Sequence, residues 1–265
     1  MSYLGHGFHL VKPSPWPLLS GMTATMLALS LIGWFHGVDF KLFCISFILI
    51  AMVAGFWWRD VIREGMVGNY TPRVVWNLKT GMMLFLVSEA MFFVSFFWAF
   101  LHSSLAPTGE VGGCWPPGGI RPFNPWGLPA FNTALLVSSG VTVNWAQTSL
   151  KHGDQKQTLM ALGVTIFYGL LFMRVQTYEY WHAAFTVADG VYGSTFFVTT
   201  GFHASHVMVG LIFLLVTFMR MCSKQFTHPI QLGFRFCVWY WHFVDVIWIG
   251  VWFLIYWWGT WSYMF

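Results

Sequence analysis

The chain has 265 residues, of which 57 % are hydrophobic, 20 % aromatic and only 8 % charged. Soluble domains carry about 25 % charged residues, so water is not the main solvent of this chain. The formal net charge of +4 gives no case for nucleic-acid binding, and its distribution reads instead as membrane topology.

A helix needs roughly 20 mostly apolar residues to cross about 30 Å of hydrocarbon. Seven such runs follow one another, at about 16–35, 40–58, 80–105, 128–150, 157–178, 191–221 and 233–258. Lipid offers no hydrogen-bond partners, so spanning segments are helices or closed barrels, and the alternation of a barrel strand is absent. The expected fold class is all-α, a polytopic bundle of seven transmembrane helices.

Ahead of the first run, "MSYLGHGFHLVKPSPWP" has neither a basic n-region nor an Arg-rich amphipathic pattern, so no cleaved leader is expected. The short turn "HGVDF", 36–40, predicts a hairpin of the first two helices. The polar link "RDVIREGMVGNYTPRVVWNLK", 59–79, then separates them from the other five. A boundary is expected here, between a two-helix segment, 1–70, and a five-helix bundle, 71–265. The stretch "WWRDVIRE" places Trp57 and Trp58, then Arg59, Asp60, Arg63 and Glu64, at headgroup depth. If the helix continues, Arg59 and Arg63 lie one turn apart on one face and suit a lipid phosphate. Ordinary interfacial charges are the alternative.

In the third run, "GMMLFLVSEAMFFVSFFWAF", Glu89 is the single charged side chain. It reads either as a protonatable group or as a hydrogen-bonding element that fixes helix packing. The loop that follows is dense in Gly and Pro and is expected to be ordered, with Trp115 and Trp126 packed. Further along, "GFHASH" sets His203 and His206 three apart, and "WYWHFVDVIW" does the same for His242 and Asp245. Each pair shares a helix face. With Glu89 these could form a metal site between helices, whereas a di-iron site wants several Glu and paired Glu-x-x-His motifs. Two histidines on facing helices could also hold haem. Interhelical hydrogen bonding is the plainer reading.

Cys44, Cys114, Cys222 and Cys237 show no C-x-x-C spacing and read as packing residues. Trp57 and Trp58 at one interface, and Trp257, Trp258 and Trp261 at the other, read as anchors. Lys12, Arg59, Arg63, Arg73, Lys79, Lys151, Lys156, Arg220, Lys224 and Arg235 fall on one side; Lys41, Arg121 and Arg174 fall on the other. The asymmetry predicts an odd number of spans with the N-terminus inside and the C-terminus outside. No G-x-S-x-G, Walker A, H-E-x-x-H or Rossmann glycine pattern is present.

The stretches "PSPWP", "WWRDVIRE", "SEAMFFVSFFWAFLHSSLAPTGEVGGCWPPGGI", "DGVYGSTFFVTTGFH" and "WYWHFVDVIW" resemble subunit III of mitochondrial cytochrome c oxidase. The resemblance implies seven helices, the first two packed apart from the other five around a V-shaped cleft that holds phospholipids. It implies no cofactor in this chain, with haem and copper in partner subunits. The C-x-x-x-C copper motif of the cytochrome c docking subunit is absent. The implied partners are the catalytic haem-copper subunit I, the other oxidase subunits and membrane lipids, with no nucleic acid. The implied location is the mitochondrial inner membrane, N-terminus in the matrix and C-terminus in the intermembrane space.

Residue by residue, Glu89 matches the family's carbodiimide-reactive carboxylate. Trp57, Trp58, Arg59, Arg63, Glu64, Arg220 and Phe226 match its lipid cleft, and His203, His206, His242 and Asp245 stay structural. The implied role is support of proton uptake and protection of the catalytic subunit during turnover. Two positions depart: Arg235 stands where the family usually has Glu, and Tyr70 where vertebrate members have His. The competing readings are a self-sufficient proton channel or transporter that uses Glu89 and the His and Asp residues as a relay, and a haem- or metal-binding redox subunit.

Overall fold

The computed structural model describes residues 13–68, 70–226 and 231–263. The N-terminal stretch read above for targeting signals, with Lys12, lies largely outside them. Seven α-helices follow in order: α1 Trp16–Phe35, α2 Phe40–Met66, α3 Pro72–Leu105, α4 Leu128–Lys151, α5 Gln155–Trp181, α6 Gly190–Cys222 and α7 Leu232–Val251. Strands are absent among the described residues. By length and composition, six of the helices are apolar enough to cross a membrane; α4 falls short. At 24 residues and 1.5 Å each, α4 is still about 36 Å long. Its polarity points inward: Ser139 Oγ accepts from Trp241 Nε1 at 2.9 Å, Thr133 Oγ1 from Trp248 Nε1 at 3.0 Å, and Thr142 meets Thr165 at 2.8 Å. In a medium without water, such side chains stabilise a helix bundle by bonding across it.

The helices start and stop where local chemistry dictates. Asp39 and Asp154 cap α2 and α5, each accepting a first-turn backbone N–H at 2.9 Å. Gly37 turns the chain between α1 and α2 at a φ of 91°, open to glycine without strain. Both α2 and α3 extend into the polar link expected at 59–79, which is therefore mostly helical. Beyond Val251, α7 widens at Trp252–Trp257 into i→i+5 bonding, then tightens into a 3-10 turn at Trp258–Tyr263.

The chain divides into two compact units, one ending at Leu78 and one beginning at Lys79. In the first, α1 and α2 form the expected hairpin, closed at one end by Trp34 stacking on Phe43 and at the other by Trp16 stacking on Phe56. In the second, α4 packs on α5 and α7, and α6 packs on the same two helices. Long side chains bring in α3: Phe93, fully buried, lies against Phe202, His206 and Phe243. Trp115 is buried against Phe100 and Tyr192. Trp126, expected to be packed, is 65 % exposed, its ring meeting that of Trp252 in a T-shaped contact. All four cysteines are free, and Cys237 alone is buried.

Candidate functional site

Glu89 of α3 and His206 of α6 meet within the second unit, with Glu89 Oε2 2.9 Å from His206 Nε2. On the far side of the ring, His206 Nδ1 lies 2.8 Å from the Phe202 carbonyl. A carbonyl only accepts, so Nδ1 carries a hydrogen and donates it. One more proton must then lie between Nε2 and Oε2, because a bare ring nitrogen facing a bare carboxylate would oppose two lone pairs. The pair holds that proton either as acid with imidazole or as carboxylate with imidazolium, and is neutral overall in both forms. Phe93 and Phe202 meet the ring edge-on, with ring centres 5.1 and 4.7 Å away. The Glu89 side chain is 20 % exposed, so the carboxyl can be reached from the edge of the unit.

The other ionisable groups predicted inside spans do not join this pair. His203, fully buried, donates from Nε2 to the Val244 carbonyl at 3.2 Å, and its Nδ1 has no partner. His242 bonds Asn144 Oδ1 through Nε2 at 2.9 Å, and its Nδ1 lies 3.4 Å from Asp245 Oδ2. Gly140 makes room for that carboxylate: a Cβ there would stand 2.6 Å from Oδ2. The five groups thus fall into two pairs and a single ring. Among the described residues no three His, Cys, Asp or Glu side chains gather into a group able to hold a metal.

A further buried carboxylate escapes sequence reasoning. Glu179, fully buried on α5, accepts from Tyr256 Oη at 2.5 Å; Gln176 donates to that hydroxyl at 3.3 Å, and Asn132 of α4 donates to Gln176 at 3.2 Å. The donors point in one direction along the chain, toward the carboxylate. The available signal was the Gln and Glu set three apart in "QTYEY", which share a helix face.

The cationic end of α2 forms in the first unit. The helix runs on to Met66, so Arg59 and Arg63 do lie on one face, but Asp60 sits between them, its Oδ1 3.2 Å from Arg59 and 3.7 Å from Arg63. Asp60 Oδ2 accepts from Trp16 Nε1 at 2.8 Å, which ties the start of α1 to this end of α2. Two arginines and the carboxylates of Asp60 and Glu64 thus balance formally, while both guanidinium groups stay exposed. Trp58 is exposed beside them, and Trp57 and Glu64 are half-buried. In the second unit, Arg220 lies 4.4 Å over the Phe226 ring and donates from Nε to Gln225 at 3.2 Å. Gly233 leaves space for that guanidinium, since a Cβ there would stand 2.8 Å from Nη1.

With this geometry in hand, the comparisons with known proteins are decisive for the family. A family model described as cytochrome c oxidase subunit III matches residues 6–260. The chain belongs to the cytochrome c oxidase subunit III family. Among its relatives, cytochrome c oxidase subunit 3 of Formosania lacustris is 51 % identical over 261 residues, and those of Cyprinus carpio and Xenopus laevis are each 50 % identical. Each alignment covers 98 % of this chain and 100 % of the relative.

For a subunit III, the two positions expected to differ from the family now have surroundings. Tyr70 donates its hydroxyl to the Val61 carbonyl at 2.8 Å and lays its ring over Gly65, where a Cβ would come within 2.9 Å. Its hydroxyl hydrogen is donated to the end of α2, which ties this position to the backbone. Arg235 is exposed in the first turn of α7.

Proposed function

We propose that the chain serves as the non-redox core subunit of cytochrome c oxidase in the mitochondrial inner membrane, N-terminus in the matrix. It binds phospholipid and supports the stability and proton uptake of a catalytic subunit that holds the haem and copper. The complex, not this chain, then carries electrons from cytochrome c to oxygen and pumps protons. The observation that carries the reading is the family match along nearly the whole length, with relatives covered end to end. The separation of the ionisable groups into two pairs and a lone ring supports it, because a relay would need them in sequence.

Purification through a tag on this chain tests the reading. Cytochrome c-dependent oxygen consumption is expected to co-purify, and the chain separated from its partners is expected to show no haem absorbance and no stoichiometric copper. Haem or copper bound to the separated chain would replace the support role with a redox one. Ion flux through liposomes that hold the chain alone would favour the transporter reading.

For lipid binding, the exposed guanidinium groups of Arg59 and Arg63 flank Trp58 at headgroup depth. Arg59→Ala combined with Arg63→Ala is expected to lower the phospholipid retained by the purified complex, read by mass spectrometry. Removing both leaves the carboxylates of Asp60 and Glu64 without these cations, so the local charge becomes negative. Unchanged lipid content in the double variant would remove this end of α2 from the binding site.

A further inference from the structure

Arg174, partway along the membrane-spanning helix α5, stands apart from both the Glu89 pair and the cationic end of α2. At 3.6 residues per turn, Phe167, Arg174 and Trp181 of α5 stand seven apart on one line along the helix, with Leu170 and Tyr178 beside it. All five are exposed. Among the described residues, Arg174 makes no ion pair and no side-chain hydrogen bond. A guanidinium facing hydrocarbon without a counter-charge is costly, so something negative belongs there.

The surroundings say what kind. Trp181 is 86 % exposed and Tyr178 54 %. The His182 ring lies 4.1 Å from that of Tyr178, held by donation from Nδ1 to the Tyr178 carbonyl at 2.9 Å. Exposed Tyr and Trp at the end of a span mark the headgroup level. Arg174 stands roughly 10 Å below Trp181 by helical rise, a distance its long stem can largely cover. Below Arg174 the same line is apolar, through Leu170 and Phe167. Aromatic rings above, a cation between and an apolar track below follow the order of a phospholipid: headgroup, phosphate, then glycerol and acyl chain. An acidic side chain of a neighbouring protein would answer the charge but would leave the apolar track unexplained.

We propose that this stripe of α5 holds an anionic phospholipid, its phosphate bound by the Arg174 guanidinium and one acyl chain lying along Leu170 and Phe167. The planar fork of arginine binds two phosphate oxygens at once, which a lysine ammonium cannot do.

The test uses the purified complex in nanodiscs of phosphatidylcholine with a minor share of phosphatidylglycerol, followed by native mass spectrometry. Arg174→Gln is expected to retain one phosphatidylglycerol fewer than the parent, with Arg174→Lys between them. In the unmodified complex, a photoreactive phosphatidylglycerol is expected to label the segment 167–181 several-fold more than a photoreactive phosphatidylcholine. This second readout stands even if the variants assemble poorly. Equal retention by Arg174→Gln together with equal labelling by the two lipids overturns the proposal. Loss of a neighbouring subunit from Arg174→Gln, with lipid retention unchanged, overturns it in favour of an acidic protein partner.

Discussion

Trp241→Ala is expected to destabilise the second unit by about 3–5 kcal/mol, enough to remove the assembled protein from the membrane. Trp241 is fully buried, and its ring fits between two helices that lack side chains at the contact. A Cβ on Gly169 of α5 would stand 2.8 Å from the indole, and one on Gly210 of α6 would stand 2.9 Å from it. Its Nε1 donates to Ser139 of α4 at 2.9 Å. One residue of α7 thus touches the other three helices of its ring, and truncation leaves a cavity that none of them can collapse into alone. Trp241→Phe keeps most of the ring and loses the hydrogen bond, so it should cost about 1 kcal/mol for the bond plus the smaller volume. Thermal unfolding in detergent and the yield of assembled protein measure both. A Trp241→Ala variant that melts like the parent would show that contacts of α4 with α5 hold the unit without this wedge.

Glu89→Gln and His206→Leu are expected to differ, although they disrupt the same pair. In Glu89→Gln the new side-chain amide can donate to His206 Nε2 as a protonated carboxyl does, so the packing survives and only the shared proton is lost. In His206→Leu the Glu89 carboxyl instead stays beside aromatic rings with no partner, which costs about 1–3 kcal/mol. Assembly yield and melting temperature should therefore hold in Glu89→Gln and fall in His206→Leu. Parent-like yield and melting in both variants would mean that the contact carries no structural weight. Infrared absorption of a protonated carboxyl, present in the parent and absent in Glu89→Gln, would identify the acid-with-imidazole form of the pair.

The apolar runs located the helices because solvent preference acts residue by residue, and the described helices cover each expected run. They misjudged the ends where helix and hydrocarbon part company. Backbone hydrogen bonding continues past Trp58 to Met66 and begins again at Pro72, because a helix needs no lipid to persist. Glu179 was missed for the same reason: the apolar run stops at 178, while α5 continues to Trp181.

The pairing of groups was legible only in part. Three-residue spacing put His242 beside Asp245 correctly, since one helix fixes that distance. It could not link Glu89 to His206, which are separated by 117 positions, because the facing of two helices depends on every contact between them. Nor could it show that Asp60 would stand between Arg59 and Arg63, as a sequence lists charges without saying which of them neutralise each other. Trp126 follows the same logic: a glycine- and proline-rich loop fixes its backbone without guaranteeing that each of its rings finds cover.

The widened turns at Trp252–Trp257 bear on how the chain can change in length. Such a segment holds a residue more than an α-helix of the same rise would need. Deleting one residue there, ahead of Tyr256, would restore ordinary winding without the rotation of about 100° that the same deletion causes in a regular α-helix, so the face that meets Glu179 would be kept. A deletion after Tyr256 would leave that contact in register and shift only the last turn. The end of α7 therefore carries its own margin for insertion and loss, set just where a single tyrosine records whether the count is right.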